Sequence, residues 1–291
     1  MLQKKYKAIF FDWDGTAVRS RTAPIRSAAE AMKPLLAAGV NLVIVSGTTM
    51  ENIADGKLGE YFTQEERKHL FLGLGRGAFN YAFNKDSEPY VFADCLPDKE
   101  MLMNIHRACF DIHETLLDQY DLPTDIVFTR PNYCKIDLMV EHKRAGALFM
   151  QENELEQLRN SLKLHGIEGG LPKLLEIASS AGAARGIKAA VTCDAKYLEV
   201  GISSKSDNVN TILLHLEQNA NITAKDCCFW GDEYVAVEKG VFGSDSFMRT
   251  EKSCQGDFFD VSEVNGDRPE GIQCVGGGVE RFLGFLREQG A

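Results

Sequence analysis

Short apolar runs alternate with an amphipathic segment at the start of the chain. Residues 8–11 form one such run, residues 23–39 place apolar side chains at helical spacing and end at a glycine, and residues 40–45 form a second run. The order is strand, helix, strand, and both strands are apolar on both faces. This pattern predicts a parallel βαβ unit with helices on both sides of its sheet. Pro34 lies inside the helical segment, where we expect it to kink the helix or to shift its start.

The middle of the chain has a different pattern. Residues 98–117 and 153–166 have helical spacing, whereas residues 124–141 predict two strands around a Pro-Asn turn. This mixture is typical of an α+β domain, and we interpret residues 81–194 as an inserted second domain.

The first pattern then returns, and it predicts that the segments flanking the insertion form one α/β core. A strand, a helix, a strand that ends in acidic residues, and a strand-turn-helix unit are predicted, in that order, for residues 196–202, 205–218, 227–233 and 271–289. The predicted core domain therefore comprises residues 1–80 and 195–291.

Composition narrows the classes of function. The chain has 291 residues, and its net charge of −10 argues against general binding to a nucleic-acid backbone. We find no apolar run of about 18 residues and no signal peptide, so no membrane segment is expected. The eight cysteines form no C-x-x-C pair and are expected to be reduced thiols in a cytoplasmic protein. An anionic substrate would need a metal ion or a few well-placed cations.

Polar residues with chemical potential follow the predicted core strands. Asp12 and Asp14 come after the first strand, Ser46 after the second, Lys205 begins a helix, and Asp232 follows a late strand. The carboxyl ends of parallel strands meet at one edge of a sheet, where ligands bind. A solvated turn would explain one acid pair alone, but the coincidence of all these features at one edge favours a site.

Phosphoryl transfer uses these residue types. Clustered carboxylates repel one another unless a hard cation holds them, and Mg²⁺ binds carboxylates, waters and phosphate oxygens. One carboxylate can attack phosphorus, and a second can donate and then accept a proton. A serine hydroxyl, main-chain N–H groups and a lysine ammonium can stabilise the transferring group.

The motifs carry a family resemblance. The haloacid dehalogenase-like (HAD) phosphohydrolase superfamily has a D-x-D-G-T motif I, which FFDWDGTAV at residues 10–18 resembles. Its motif II is similar to VIVSGTT, its motif III lysine to Lys205, and its acidic motif IV to FWGDEYVAVEKGVFGSDSF at residues 229–247. The insertion lies where the large caps of this superfamily lie. The arrangement resembles sugar-phosphate phosphatases and the phosphomannomutase and trehalose-phosphate phosphatase branches.

The resemblance implies roles for individual residues. Asp12 would be the nucleophile and a metal ligand, and Asp14 would be the general acid/base and bind the metal through its main-chain carbonyl. Ser46 and Gly47 would bind the phosphoryl group, and Lys205 would neutralise its charge.

The resemblance also implies a Mg²⁺ site, completed by Asp232. Motif IV is stretched here, and we favour Asp245 as the second acid of the metal site, acting through water, with Glu233 as the alternative. Many relatives with such a cap carry an arginine after the motif II glycine, but Thr48 and Thr49 stand there in this chain.

Two further stretches are weaker candidates. Arg130, Asn132 and Lys135 flank the Pro-Asn turn of the insertion and could contact a substrate, although a solvated turn is the simpler interpretation. Residues 73–79 predict a tight glycine turn leading into the insertion. A phosphate contact through Arg76 is the alternative interpretation of that stretch.

These observations predict an α/β protein with a Rossmann-like, parallel-sheet HAD core and an inserted α+β cap. The expected activity is Mg²⁺-dependent hydrolysis of a small phosphorylated metabolite, with a sugar phosphate as the leading candidate, through an Asp12 phosphoryl-enzyme. A phosphomutase and a non-catalytic binding protein are the alternatives. Neither a nucleic acid nor a membrane is an expected partner, and the oligomeric state stays open.

Overall fold

The structure is a computed structural model, and it describes residues 4–86, 88–128, 130–141, 154–193 and 196–291. The strands in these residues are β1 (Ala8–Phe11), β2 (Asn41–Val45), β3 (Leu70–Leu74), β4 (Phe79–Phe83), β5 (Pro89–Asp94), β6 (Asp125–Val127), β7 (Tyr133–Asp137), β8 (Ala190–Cys193), β9 (Tyr197–Gly201), β10 (Cys227–Gly231), β11 (Ala236–Glu238), β12 (Val241–Phe242), β13 (Asp257–Asp260) and β14 (Ile272–Cys274). The α-helices are α1 (Arg26–Ala37), α2 (Gln64–Arg67), α3 (Lys99–Tyr120), α4 (Glu154–Leu164), α5 (Gly170–Ala184), α6 (Lys205–Ala220) and α7 (Gly278–Gly290).

The chain divides into two compact units. The larger unit comprises Met1–Cys95, Ser204–Val235 and Ser244–Ala291, and the smaller unit comprises Leu96–Ser203 and Ala236–Gly243. Both the entry into the smaller unit and the return from it lie later in the chain than the predicted boundaries at residues 80/81 and 194/195.

The larger unit is built on a sheet of eight strands in the order β14-β13-β10-β1-β2-β3-β4-β5. Pairing is parallel from β14 to β3, as the predicted Rossmann-like α/β fold requires, and antiparallel at β4 and β5. In β1 the buried side chains alternate between two cores. Ile9 and Phe11 join the core that includes α1 and α7, whereas Phe10 joins the core that includes α6. The α/β prediction is therefore confirmed.

Strands β4 and β5 explain why the first boundary lies later than predicted. β4 follows β3 through a short glycine-containing turn and pairs with it antiparallel, so that residues 79–94 extend the large sheet. In sequence, the apolar and polar residues of such a hairpin alternate as they would in a strand of an α+β insertion. Which sheet the hairpin joins depends on its tertiary contacts, which the local sequence does not show. Elsewhere, α1 runs through Pro34 to Ala37 and begins at Arg26, three residues later than the amphipathic segment.

The smaller unit has an antiparallel sheet in the order β6-β7-β9-β8. The two strands predicted around the Pro-Asn turn are β6 and β7. The sequence pattern places β9 in the core, but this strand pairs with β7 and β8. Its alternating burial, with Leu198 and Val200 fully buried and Glu199 partly exposed, is typical of an antiparallel sheet covered on one face. Leu198 packs in a core with Ile105 of α3 and Leu174 of α5.

The hairpin β11–β12 also belongs to the smaller unit. The carboxylate of Glu238 accepts a hydrogen bond from the Leu171 N–H over 2.9 Å, and Arg159 donates to the Val237 carbonyl. This hairpin is the insert that separates Asp232 from Asp245, so it accounts for the stretched motif IV. Across the described ranges of the chain, no helix combines the length and the apolar character that a membrane crossing requires.

Candidate active site

Three charged side chains from distant parts of the chain meet at the carboxyl edge of the large sheet. The Lys205 ammonium lies 2.9 Å from Asp12 Oδ1 and 2.7 Å from Asp245 Oδ1. Asp12 follows β1, Lys205 is the first residue of α6, and Asp245 lies in a single 3-10 turn after β12. All three are buried, and Asp245 is fully so. Burying these charges is tolerable because each has an opposite charge in contact.

The second oxygen of Asp245 holds the main chain after β10. Asp245 Oδ2 accepts hydrogen bonds from the N–H groups of Asp232, over 3.0 Å, and Glu233, over 2.8 Å. Gly231 leaves room for this carboxylate, because a Cβ at that position would collide with it. Asp245 therefore fixes both the lysine and the loop that carries Asp232.

A cluster of carboxylates has the spacing of a cation site. Asp12, Asp232 and Asp245 each offer an oxygen, and these oxygens lie within 4.8 Å of one another. Within the described ranges this cluster includes Asp245 and not Glu233, whose carboxylate accepts a hydrogen bond from Ser244. An all-oxygen donor set of this kind suits Mg²⁺.

Asp232 is positioned from the motif I side as well. Its Oδ1 accepts a 2.8 Å hydrogen bond from Thr16 Oγ1. Gly15 has φ +85° and lies against the Asp232 carboxylate, so that a side chain at residue 15 would be strained and would also collide. The glycine and the threonine of D-x-D-G-T therefore both help to position the Asp232 carboxylate.

Asp14 is separate from this cluster of side chains. Its Oδ2 lies 3.2 Å from Arg21 Nε, and its buried Oδ1 has no hydrogen-bond partner among the described residues. A buried carboxylate oxygen without a donor is costly, so this atom is suited to meet a ligand or to carry a proton. Arg21 was missed from the sequence, because nothing in its neighbourhood marks it as a partner of Asp14.

Burial sets the proton affinities of these acids. It raises the pKa of Asp12 to about 8, with Lys205 opposing the rise and Asp245 adding to it. Burial likewise raises the pKa of Asp14, against the effect of Arg21, and raises the pKa of Asp232 well above its ordinary value. For Lys205, burial alone lowers the pKa, but the surrounding carboxylates outweigh it and raise the pKa above its ordinary value. A cation at the carboxylates would favour their charged forms.

The predicted phosphate loop comes after β2, the parallel neighbour of β1. Ser46 is buried, its N–H donates to the Gly73 carbonyl over 2.9 Å, and its Oγ accepts a 3.4 Å hydrogen bond from the Thr48 N–H. The Thr48 hydroxyl is buried and has no hydrogen-bond partner among the described residues. The parallel register therefore brings the loop to the sheet edge that carries Asp12.

The three predicted substrate contacts lie in the smaller unit. Asn132 is 1% exposed, and its amide donates to Ser203 Oγ over 3.2 Å. The Lys135 ammonium forms a 2.8 Å ion pair with Glu199. Arg130 is partly exposed. Their role in substrate binding stays a prediction.

Comparison with solved structures confirms the fold that the motifs predicted. An N-terminally truncated IMP-nucleotidase of Plasmodium falciparum superposes with a TM-score of 0.61 over 98% of this chain and 70% of its own, at 14% identity. The trehalose-6-phosphate phosphatase of Aspergillus fumigatus superposes with a TM-score of 0.59 over 99% of this chain and 94% of its own, at 14% identity. The chain therefore shares its fold with these two structures, and its smaller unit interrupts the larger one in sequence. In sequence, no family model and no curated protein matches it.

Proposed function

We propose that the protein is a Mg²⁺-dependent phosphatase that hydrolyses a small phosphorylated metabolite. The observation that carries this proposal is the position of the Lys205 ammonium, which contacts both Asp12 and Asp245 and lies beside Asp232. Asp14, two residues after Asp12, contacts Arg21 instead. A structural ion pair needs one acid per lysine. A site that concentrates acids around one lysine, at the sheet edge where ligands bind, suits a phosphoryl group and a cation.

In the proposed reaction, a carboxylate oxygen of Asp12 attacks phosphorus while the bond from phosphorus to the leaving oxygen breaks. Asp14, in its protonated form, gives its proton to that oxygen and the alcohol departs. Water then attacks phosphorus, Asp14 takes a proton from this water, and inorganic phosphate and the free Asp12 carboxylate result. The raised pKa of Asp14 favours the protonated form that the first step needs.

The remaining residues stabilise the transferring group. Lys205 would offset its negative charge, and Ser46 with the main-chain N–H groups around Gly47 would bind its oxygens. Asp12, Asp232 and Asp245 would hold the magnesium ion, Asp245 through water because its two oxygens already have donors. When bound, the ion would supply positive charge to the phosphoryl oxygens and to the carboxylates.

We infer that the substrate is a phosphate monoester of a sugar or a related small metabolite, and that the smaller unit selects it. The solved structures with the same fold carry the names of an IMP-nucleotidase and a trehalose-6-phosphate phosphatase, so both nucleotides and sugar phosphates belong in the search. Arg130, Asn132 and Lys135 remain the candidates for this selection.

A phosphate-release screen tests the proposal. Wild type and Asp12→Asn are compared over sugar phosphates, nucleotides and cofactor phosphates, with Mg²⁺ and with a chelator. We expect wild type to release phosphate from at least one class only with Mg²⁺, and Asp12→Asn to lose at least about 10³-fold in kcat. An isomerised sugar phosphate would identify a mutase instead. Absence of turnover over the whole panel would favour a binding protein, and equal rates for the two proteins would refute Asp12 as the nucleophile.

A further inference from the structure

Arg76 occupies an unusual place in the larger unit. It lies in the turn between β3 and β4, is only 6% exposed, and has φ +54°. The glycines on either side, Gly75 and Gly77, also have positive φ values, of +67° and +93°. A glycine would adopt this left-handed conformation without steric cost, whereas an arginine does not. A charged side chain kept in such a position points to a function for the side chain.

The turn that carries Arg76 is fastened to the candidate site from two directions. The Gly75 N–H donates to the Thr48 carbonyl of the phosphate loop over 2.9 Å. The Gly77 N–H donates over 2.7 Å to the side chain of Asn208, which lies three residues after Lys205 in α6. Arg76 therefore sits between the loop after β2 and the first turn of the helix that presents the lysine.

The side chain of Arg76 lies over the phosphate loop itself. Its Cγ is 3.5 Å from the point that a Cβ on Gly47 would occupy. The absence of a side chain at Gly47 thus allows the arginine stem to pass close to the loop. The guanidinium extends beyond Cγ, and it is the group that matches phosphate oxygens most closely in shape and charge.

Charge balance gives a reason for a second cation. A phosphate ester that enters this site approaches Asp12, Asp14, Asp232 and Asp245, and the ammonium of Lys205 is already in contact with two of them. Placing more negative charge there is unfavourable unless fixed positive charge accompanies it.

We propose that Arg76 is a phosphate-binding residue of this site, and that its guanidinium contacts phosphoryl oxygens together with Ser46 and the Gly47 main chain. This proposal rests on the proposed function for the identity of the site, and it adds a binding residue that lies in neither motif II nor motif III. The β3–β4 turn thereby supplies an arginine to a loop whose own sequence continues with two threonines.

Two substitutions separate the guanidinium from the backbone that carries it. Arg76→Asn removes the charge, and asparagine adopts the left-handed conformation readily, so no backbone strain is added. Arg76→Lys keeps a charge but loses the planar fork. Arg26→Gln is the matched control, because Arg26 is exposed on α1 and pairs there with Glu30.

Titration calorimetry with inorganic phosphate in the presence of Mg²⁺ is the measurement, with the unfolding temperature of each variant recorded alongside. We expect Arg76→Asn to bind phosphate about 10- to 100-fold more weakly than wild type, Arg76→Lys to fall between them, and Arg26→Gln to stay within about twofold. Millimolar guanidinium chloride should restore part of the binding to Arg76→Asn, and ammonium chloride at the same concentration should not. A merely structural role would show no such rescue.

The outcomes distinguish this inference from the proposed function. Phosphate binding needs no turnover, so Arg76-dependent binding by a wild-type protein that hydrolyses no ester would support the inference and refute the phosphatase. If wild type hydrolyses an ester and Arg76→Asn binds phosphate as tightly as wild type, the phosphatase is supported and the inference about Arg76 is refuted. A wild-type protein that binds no phosphate overturns the inference, as does loss of binding in Arg76→Asn that guanidinium does not restore and that accompanies a lowered unfolding temperature.

Discussion

The carboxyl edge of the large sheet and the antiparallel sheet of the smaller unit carry their charges in different ways. At the edge, Lys205 is buried and contacts two acids that lie 193 and 40 residues away in sequence. In the antiparallel sheet of the smaller unit, Lys135 of β7 pairs with Glu199 of the neighbouring strand β9, and both side chains keep about a fifth of their surface exposed. The first arrangement buries one lysine among several carboxylates, whereas the second leaves its ion pair in partial contact with solvent.

This difference shows which arrangement has capacity for a ligand. An ion pair on a partly exposed sheet face is screened by water and contributes modestly to stability. At the sheet edge, one lysine is shared by two carboxylates, and the carboxylate of Asp232 lies beside them. Asp14 has a buried oxygen that no donor among the described residues contacts. A bound cation would balance the negative charge of these carboxylates, and a phosphate could then bind beside it. Four experiments test the comparison.

The largest expected effect is that of Asp14→Asn on activity. Without a proton donor at the leaving oxygen, kcat should fall by about 10²- to 10⁴-fold, whereas phosphate affinity should change little. Rates of phosphate release and calorimetric titrations measure the two quantities. The account would be contradicted by a variant that retains wild-type kcat with ordinary alkyl phosphates.

Lys205→Met should be the most destabilising substitution of the set. It leaves Asp12 and Asp245 buried without their cation, and we expect the free energy of unfolding to fall by about 3 kcal/mol without Mg²⁺. Lys135→Met is the matched control in the antiparallel sheet of the smaller unit, with an expected loss of about 1 kcal/mol or less. Denaturant titrations measure the free energy of unfolding of both variants. Equal decreases in the two variants would contradict the contrast between the two regions.

The third experiment concerns pH in the absence of metal. The pKa of Asp12 is raised to about 8, so the native state binds more protons than the unfolded state between about pH 4 and pH 8, and stability falls as pH rises through this window. Asp14 and Asp232 act in the same direction. We expect wild type to lose more stability than Asp12→Asn between pH 5 and about pH 8, and Mg²⁺ to restore it. Parallel pH profiles for the two proteins would count against the buried-acid account.

The smallest effects are expected at the turn between β6 and β7. If Arg130 contacts the substrate, Arg130→Met should raise KM by about 3- to 10-fold and leave kcat unchanged, because a contact away from the reacting atoms is made equally in ground and transition states. Arg185→Met serves as the comparison, since Arg185 is not a candidate for substrate binding and its guanidinium pairs with Asp111. Unchanged KM for Arg130→Met on the best substrate would remove Arg130 from the substrate site.

Local pattern predicts the elements of the chain better than their partners. Strands β1 and β2 are buried on both faces, so each appears in the sequence as a continuous apolar run. Such runs indicate a parallel sheet. For β9 the choice between core and insertion depends on which strand it meets, and its alternation of Leu198 and Val200 with polar residues is the signal that distinguishes them. The hairpin β11–β12 lies between two acids of the same motif, so position in sequence alone assigns it wrongly to the core.

Part of the candidate site could be predicted from the sequence because of the parallel sheet. Parallel strands bring the residues at their carboxyl ends to one edge of the sheet, so Asp12, Ser46 and Asp232 could be grouped from position alone. Arg21 could not be grouped in this way, because it lies in a turn and no periodicity marks Asp14 as its partner. For Arg76, the sequence offers a phosphate contact only as the alternative interpretation of the glycine turn at residues 73–79. The 3.2 Å contact between Arg21 and Asp14 is a property of the folded turn and has no counterpart in the sequence pattern.

The most direct test of the central claim is to trap the covalent intermediate on Asp12. Wild type is mixed with its best phosphate ester and Mg²⁺, quenched in acid within the turnover time, digested and analysed by mass spectrometry. We predict that the peptide containing Asp12 gains the mass of one phosphoryl group, and that Asp12→Asn gains none. A phosphoryl group found on another residue, or turnover at a normal rate with no modified peptide, would contradict the account.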